Sequence, residues 1–496
     1  MKKALLTLMI GLLCISMFST LAPKAEAQAP TLETLWQFPV ADILEWGVFS
    51  ADVGDVNGDG LLDVAILPLH WPSGPGTVQV IKNDGTPLWS TSIAFAGRGI
   101  ALEDTDLDGR DELYVFGTTG SPPHFGDPMI HCFDEGGSFL WEFTIHETAP
   151  WSRSISYVTF MNLDLDPQLE IFGIGMGWAD YVNYALDTDG TLLWKFTTND
   201  IGSDLALGDL NNDGQDEFVL FSFREIYILD KSGNLLKSIQ PHSGSHNAYG
   251  ALGDITGDGV DDIVVSYNAY DHSSFLNTLY AYRNDGTLLW QKNYPQNVDG
   301  MNENPILIDV TNDGVKDVVL YAHRAIHAYR NDGFPVWTFG NATLFSTITD
   351  PHLFQMTSFD ILQGDSKDEI IFQLGQELYV LSLDGSFVQK FAIPNQGTIV
   401  GSGHIGKDPR VDNRFYETGD INNDGINEFV MNVIINNQRY VAVMMVPASA
   451  PILPVGGFWV PINRFQMLAP LIGWASLVTI FAAIFVGVKR AKKRQN

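Results

Sequence analysis

Between about residues 31 and 447, short apolar runs alternate with acidic, glycine-bearing turns. One set of runs comprises DVAIL (63–67), ELYVF (112–116), EFVLF (217–221), DIVVS (262–266), DVVLY (317–321), EIIFQ (369–373) and EFVMN (428–432). They are short, β-branched and aromatic, which suits buried strands rather than helices. A second set follows an Asp-Gly turn, as in IKNDGTPLW (81–89), FDEGGSFLW (133–141), LDTDGTLLW (186–194), YRNDGTLLW (282–290) and YRNDGFPVW (329–337). LDKSGNLLK (229–237) and LSLDGSFVQ (381–389) are variants. Asp-Gly between apolar runs marks a hairpin, because glycine supplies the positive φ of the turn.

Each unit therefore reads as strand A, acidic loop, strand B, variable loop, strand C, Asp-Gly turn, strand D. Four antiparallel strands repeated at this length describe a propeller blade. The last unit stops after strand C (QRYVAVMMVP, 438–447), and the first apolar run, TLETLWQFPV (31–40), is a Leu-Trp strand with no blade before it. The surplus strand at one end supplies the missing strand at the other. The expected fold is all-β: an eight-bladed β-propeller of four-stranded antiparallel blades closed by the N-terminal strand, plus one C-terminal transmembrane helix.

The acidic loops begin at Asp55, Asp104, Asn162, Asp209, Asp254, Asp309, Asp360 and Asp420, and follow D-x-[DNT]-x-D-G-x-x-[DE]. Oxygen-bearing side chains at positions 1, 3, 5 and 9 converge on one point. The resulting candidate ligand sets are Asp55, Asn57, Asp59 and Asp63; Asp104, Asp106, Asp108 and Glu112; Asn162, Asp164, Asp166 and Glu170; and Asp209, Asn211, Asp213 and Glu217. Further along lie Asp254, Thr256, Asp258 and Asp262; Asp309, Thr311, Asp313 and Asp317; and Asp420, Asn422, Asp424 and Glu428. All-oxygen cages of this kind suit Ca²⁺, and the lack of His and Cys disfavours zinc or copper. About seven Ca²⁺ sites are expected, since DILQGDSKDE (360–369) carries an extra residue. Thr at position 3 weakens two sets, and the third has Asn162 first and Pro167 in the glycine slot. An EF-hand would need a Glu at position 12 and flanking helices; Ile66, Val115 and Leu220 stand there instead. These loops hold about half of the chain's 59 acidic residues, so folding and cation binding are expected to be linked.

The formal charge of −31 argues against nucleic acid as a partner. Residues 1–27 read as a signal peptide, with Lys2 and Lys3, an apolar run and an Ala-x-Ala site. After cleavage Cys132 is the lone cysteine, so no internal disulfide is expected. Residues 28–450 form the propeller ectodomain and 451–467 a juxtamembrane linker. Residues 468–488 are uncharged and long enough to span a bilayer. The tail 489–496 holds five basic residues, the bias of a cytoplasmic flank. A cell-membrane protein with a single span and an extracellular N-terminal domain is expected.

On these loops the chain resembles the FG-GAP and VCBS repeat family, the calcium-looped blades also found in the integrin α-subunit propeller. The resemblance covers roughly residues 31–447 and rests on the nine-residue loop, such as DVNGDGLLD (55–63). It implies calcium between strands A and B and a role in adhesion or ligand binding. No inserted metal-dependent adhesion domain is present, and FGTTGSPP (116–123) only partly matches the Phe-Gly…Gly-Ala-Pro pattern. The segment GGFWVPINRFQMLAPLIG (456–473) is similar to the C-terminal anchors of some archaeal surface proteins.

In such blades the A–B and C–D connections share one face, and the longer B–C and D–A connections occupy the other. The longer loops are expected to carry His70, Trp71, His124, His146, Trp151, Arg153, Trp178, His246, Tyr270, His272, His404 and Arg410. Loops on a rigid scaffold are where binding residues gather, and aromatics with Arg are typical anchors. Six tryptophans at one register (Trp36, Trp89, Trp141, Trp194, Trp290 and Trp337) are expected instead to pack between blades. With no nucleophile motif, phosphate loop or zinc pattern, the expectation is a non-enzymatic binding or adhesion module for an extracellular glycan or protein. A lyase-like enzyme acting on polysaccharide and a passive surface-layer component are the alternatives; a quinoprotein dehydrogenase leaves the acidic loops unexplained.

Overall fold

The computed structural model describes residues 29–447, apart from 41–48, 69–75, 120–125, 146–152, 165, 178–180, 201, 242–245, 270–276, 295–303, 342, 348–355, 362–366, 375, 397, 400–416 and 437. These residues form eight antiparallel sheets, each read from its first strand outward. Blade 1 runs Phe49–Gly54, Asp63–Pro68, Gly76–Ile81 and Pro87–Ile93 as strands A to D. Six further blades repeat that order through Phe387–Ala392. Strand B is wholly buried in blades 1, 2, 4 and 6, the environment the branched runs predict. Among the described residues the helical segments are short 3₁₀ turns, such as Leu344–Thr347, and no helix is long and apolar enough to cross a membrane. The segments read as leader, linker, span and tail lie outside the described residues.

Blade 8 is closed as the chain ends require. Strand D is Glu33–Pro39, paired antiparallel with strand C, Gln438–Met445, from Glu33 opposite Met445 to Pro39 opposite Tyr440. Its inner strand differs from expectation. Thr398–Ile399 and Glu417–Gly419 both pair with strand B, Glu428–Ile435, making five strands. The connection counted as a plain D–A loop, with His404 and Arg410, is therefore an insertion whose two ends lie in the innermost strand. Two other expected loop residues begin strands: Arg153 opens strand A of blade 3 (Arg153–Met161) and His246 that of blade 5 (His246–Gly253). The alternating SISYVTF and HNAYGAL sequences continue the ladder, with Arg153 opposite Gly177 and His246 opposite Ala269.

The core is divided by interface rather than by blade. Eight hydrophobic clusters are found among the described residues, and each joins two neighbouring sheets. The cluster of Ala51, Val64 and Ile66 with Val430, Val441 and Val443 joins blade 1 to blade 8 and closes the ring.

The six tryptophans lie at these interfaces. Each Nε1–H donates to a carbonyl in the Asp-Gly turn of the next blade, at 2.7 to 3.1 Å: Trp36 to Asn83, Trp89 to Glu135, Trp141 to Thr188, Trp194 to Lys231, Trp290 to Asn331 and Trp337 to Leu383. The turn glycine is needed twice over. At Gly233, φ is +78° and a Cβ would lie 2.5 Å from the Trp194 ring. Blade 4 has Lys237 in the tryptophan slot, and its ammonium donates to Asp285 O in the turn of blade 5.

The innermost strands are tied by polar side chains. Asp52 Oδ2 accepts from Leu102 N at 2.7 Å, and Ser50 Oγ from Ile100 N at 3.2 Å, both crossing from blade 1 to blade 2. Asp204 Oδ2 of blade 4 accepts from Gly250 N of blade 5 at 2.9 Å and from Asn304 Nδ2, just ahead of blade 6, at 3.1 Å.

Candidate metal loops

Every acidic loop links strand A to strand B, and its position-2 residue is a buried plug, as with Val56, Ile255, Ile361 and Ile421. The plug fixes the turn so that the side chains at positions 1, 3, 5 and 9 stay on the loop. Position 1 caps the turn: Asp55 accepts from the backbone N–H of Gly58, Asp59 and Gly60, at 2.7 to 3.0 Å. Asp254 does the same for Gly257, Asp258 and Gly259, so the Thr-bearing loop keeps the same frame. Position 5 accepts from position 7, as Asp213 does from Gln215 and Asp424 from Ile426.

Two positions need a left-handed backbone, which glycine and asparagine tolerate. Position 6 is glycine in six loops, with φ +81° at Gly60. Position 4 is Gly58, Asn212, Gly257, Asn312 or Asn423, but Leu107 in the second loop, at φ +64°. Pro167 in the third loop has its φ fixed near −65° by its ring and cannot repeat that turn.

Position 9 opens strand B and is buried. One oxygen accepts from the position-2 N–H: Glu112 from Thr105, Glu217 from Leu210, Asp317 from Val310 and Glu428 from Ile421, at 2.8 to 3.1 Å. Glu369 repeats this with Ile361 in the irregular seventh loop. In three blades an oxygen of this carboxylate is reached from the Asp-Gly turn: Asp63 accepts from Asn83 N, Asp262 from Asn284 N and Asp317 from Asn331 N. These bonds place the acidic loops and Asp-Gly turns on one face, as expected.

Burial raises the position-9 acids, and the loop's own carboxylates add to it. Asp63 is pushed up to about 6, and Glu112, Glu217 and Glu428 to about 7. At position 3, the amides of Asn57, Asn211 and Asn422 donate to the position-9 carboxylate at 2.6 to 2.9 Å. Carboxylate oxygens of Asp104, Asp106 and Asp108 lie within 4.8 Å of one another, as do those of Asp164, Asp166 and Glu170. Glu170 Oε1 and Asn422 Oδ1 are buried without a hydrogen-bond partner.

Position 8 has a role the sequence did not signal, because its residue type varies. It packs on the glycine that precedes the previous loop: Leu62 on Gly419, Asp111 on Gly54, Asp261 on Gly208 and Lys316 on Gly253. Asp111 N also donates to Asp55 O at 3.1 Å. Neighbouring loops are thus interlocked around the ring.

The face of the longer loops is set by the other strand ends. Of the residues expected there, His70, Trp71, His124, His146, Trp151, Trp178, Tyr270, His272, His404 and Arg410 lie outside the described residues. Arg153 and His246 are placed by their backbones, each on the first residue of an innermost strand.

The repeated loop decides the likeness to known proteins. Residues 254–320 match the FG-GAP-like repeat. The FG-GAP-like segment runs from the fifth acidic loop through most of strand B of blade 6. No curated protein matches the sequence. Among solved structures, the rhamnogalacturonan lyase of Bacillus licheniformis aligns at 15% identity with a TM-score of 0.55, covering 83% of this chain and 75% of the lyase. The V. cholerae biofilm matrix protein Bap1 aligns at 14% identity over 85% of this chain and 92% of its own, with a TM-score of 0.42. At such identity the similarity to the lyase is one of fold.

Proposed function

We propose that this chain is a calcium-stabilised, membrane-anchored surface propeller that binds an extracellular glycan or protein through the face opposite its acidic loops. The observation that carries the metal part is the state of the loop oxygens. Glu170 Oε1 is buried and unpartnered within reach of Asp164 and Asp166, and Asn422 Oδ1 is likewise unpartnered beside Asp424 and Glu428. A buried acceptor without a donor is costly, and a hard cation accepting these oxygens removes that cost. Rotating the position-3 amide by half a turn presents Oδ1 instead of Nδ2 to the same point. Four or more oxygens then surround a cation that tolerates irregular cages.

The binding part is supported by the division of labour between faces. One face is committed to interlocked loops, which leaves the other for recognition, and Arg153, His246 and the insertion carrying His404 and Arg410 all start from innermost strands there. The membrane part is supported by the uncharged stretch 468–488 and its basic flank.

A glycan array probed with the calcium-loaded protein tests the reading. Binding lost on Trp151→Ala and Arg153→Ala, but kept on Asp254→Asn, is the expected pattern. Loss on Asp254→Asn with retention on the other two would reverse the assignment of faces.

A further inference from the structure

We propose that the acidic-loop face is turned toward the membrane, and that an arc of exposed apolar side chains on its rim rests on the bilayer surface. The inference deepens the membrane-anchored reading above and rests on it.

The direction of the last strand sets the orientation. In blade 8, strand B starts at the acidic loop and ends at Ile435, so strand C, Gln438–Met445, runs back and finishes on the acidic-loop face. The described residues end there at Pro447, 21 positions ahead of Leu468. Even fully extended, such a tether keeps this face within roughly 70 Å of the anchored segment. At that effective concentration weak surface contacts become significant.

The rim supplies such contacts. Each strand D starts from the Asp-Gly turn on the same face, and the short stretch between the turn glycine and the tryptophan register carries exposed apolar side chains. In blades 2 to 6 the exposed apolar residues of that stretch include Phe139, Leu193, Leu236, Leu288 and, directly after the turn glycine, Phe334, the last 66% exposed. The register is more covered in the adjoining blades, where Leu88 and Phe387 are only partly exposed. The exposed arc is therefore centred on blade 4, across the ring from blade 8, where the tether leaves. Leu35 repeats it on the tether's own blade. A disc held at one side and greasy at the other lies down on the surface that holds it. Leu and Phe gain by burial at the headgroup–acyl boundary.

The test uses the full chain reconstituted into phosphatidylcholine vesicles with calcium. The environment-sensitive fluorophore NBD is placed on Leu193→Cys, on Leu236→Cys, and on Arg224→Cys in the exposed B–C turn of blade 4 on the opposite face. Cys132 is buried, and unmutated chain treated alike sets the background. Quenching by spin-labelled lipid of roughly twofold at the two rim sites, with none at Arg224→Cys, supports the proposal. Carbonate-resistant chain whose rim labels are not quenched would overturn it while leaving the anchor intact. Rim labels that self-quench between copies, insensitive to spin-labelled lipid, would overturn it in favour of a second copy on this surface. Chain released by carbonate would overturn the anchoring reading and this inference with it.

Discussion

Ring closure through Glu33–Pro39 can be tested at a single side chain. Trp36 is half-buried between blades 8 and 1, and its Nε1–H donates to Asn83 O at 2.8 Å. Truncating a fully buried tryptophan to alanine costs about 3–5 kcal/mol; half of that, plus about 1 kcal/mol for the hydrogen bond, gives about 3 kcal/mol for Trp36→Ala. Trp36→Phe keeps most of the ring and forfeits only the bond, about 1 kcal/mol. Trp141 makes the equivalent contact with Thr188 between blades whose sheets are continuous in sequence. For a cooperative unit of roughly 400 residues, each kcal/mol moves the melting temperature by about 1 °C, so urea midpoints are the better readout. The expected order of midpoints is wild type, then Trp36→Phe, then Trp36→Ala level with Trp141→Ala. If Trp36→Ala unfolds with the wild type while Trp141→Ala unfolds early, the N-terminal strand does not close the ring.

Other consequences are accessible by similar means. Excess chelator is expected to lower the melting temperature, with calcium but not magnesium restoring it; an unchanged melting curve refutes the calcium reading. In chelated protein, Glu112, Glu217 and Glu428 are held near 7 against an ordinary 4.5. Their protonation therefore favours the folded state below about 4.5, and this contribution is lost as pH rises through 7. Melting temperature should fall between pH 5 and 8 without calcium, and calorimetry with calcium added should show that slope flatten or reverse. Leu107→Asn, which relieves a left-handed leucine at an exposed position, should raise stability by about 1 kcal/mol. Asp204→Ala removes an acceptor shared by Gly250 N and Asn304, and a cost of roughly 2–4 kcal/mol is expected in urea unfolding.

What the sequence disclosed was whatever recurs. Gly60 and its counterparts, the Leu-Trp strands and the unmatched ends were all legible because identical backbone demands call for identical residues. The tryptophan register is readable as packing for the same reason, but the hydrogen bond that Trp89 makes with Glu135 O is not. Features that solve the same problem differently in each blade were not. Lys237 takes the place of tryptophan with an ammonium, and position 8 uses Leu62, Asp111, Asp261 or Lys316 to cover the same kind of glycine. Asp52 and Asp204 look like ordinary strand polar residues until the inner strands are brought side by side. The strand starts at Arg153 and His246 are hidden because polar residues opening a strand look like loop. The split inner strand of blade 8 was hidden by its two- and three-residue pieces, too short to carry a period.

The pairing of Glu33–Pro39 with Gln438–Met445 also sets a timetable. The first of the described strands to be made has no strand partner until the last of them, about 400 residues later, has been made. With every hydrophobic cluster shared between two blades, no blade can finish burying itself alone. The chain must therefore carry a Leu-Trp strand unpaired through most of its synthesis. Ring closure is thus a late event, the docking of Glu33–Pro39 against Gln438–Met445.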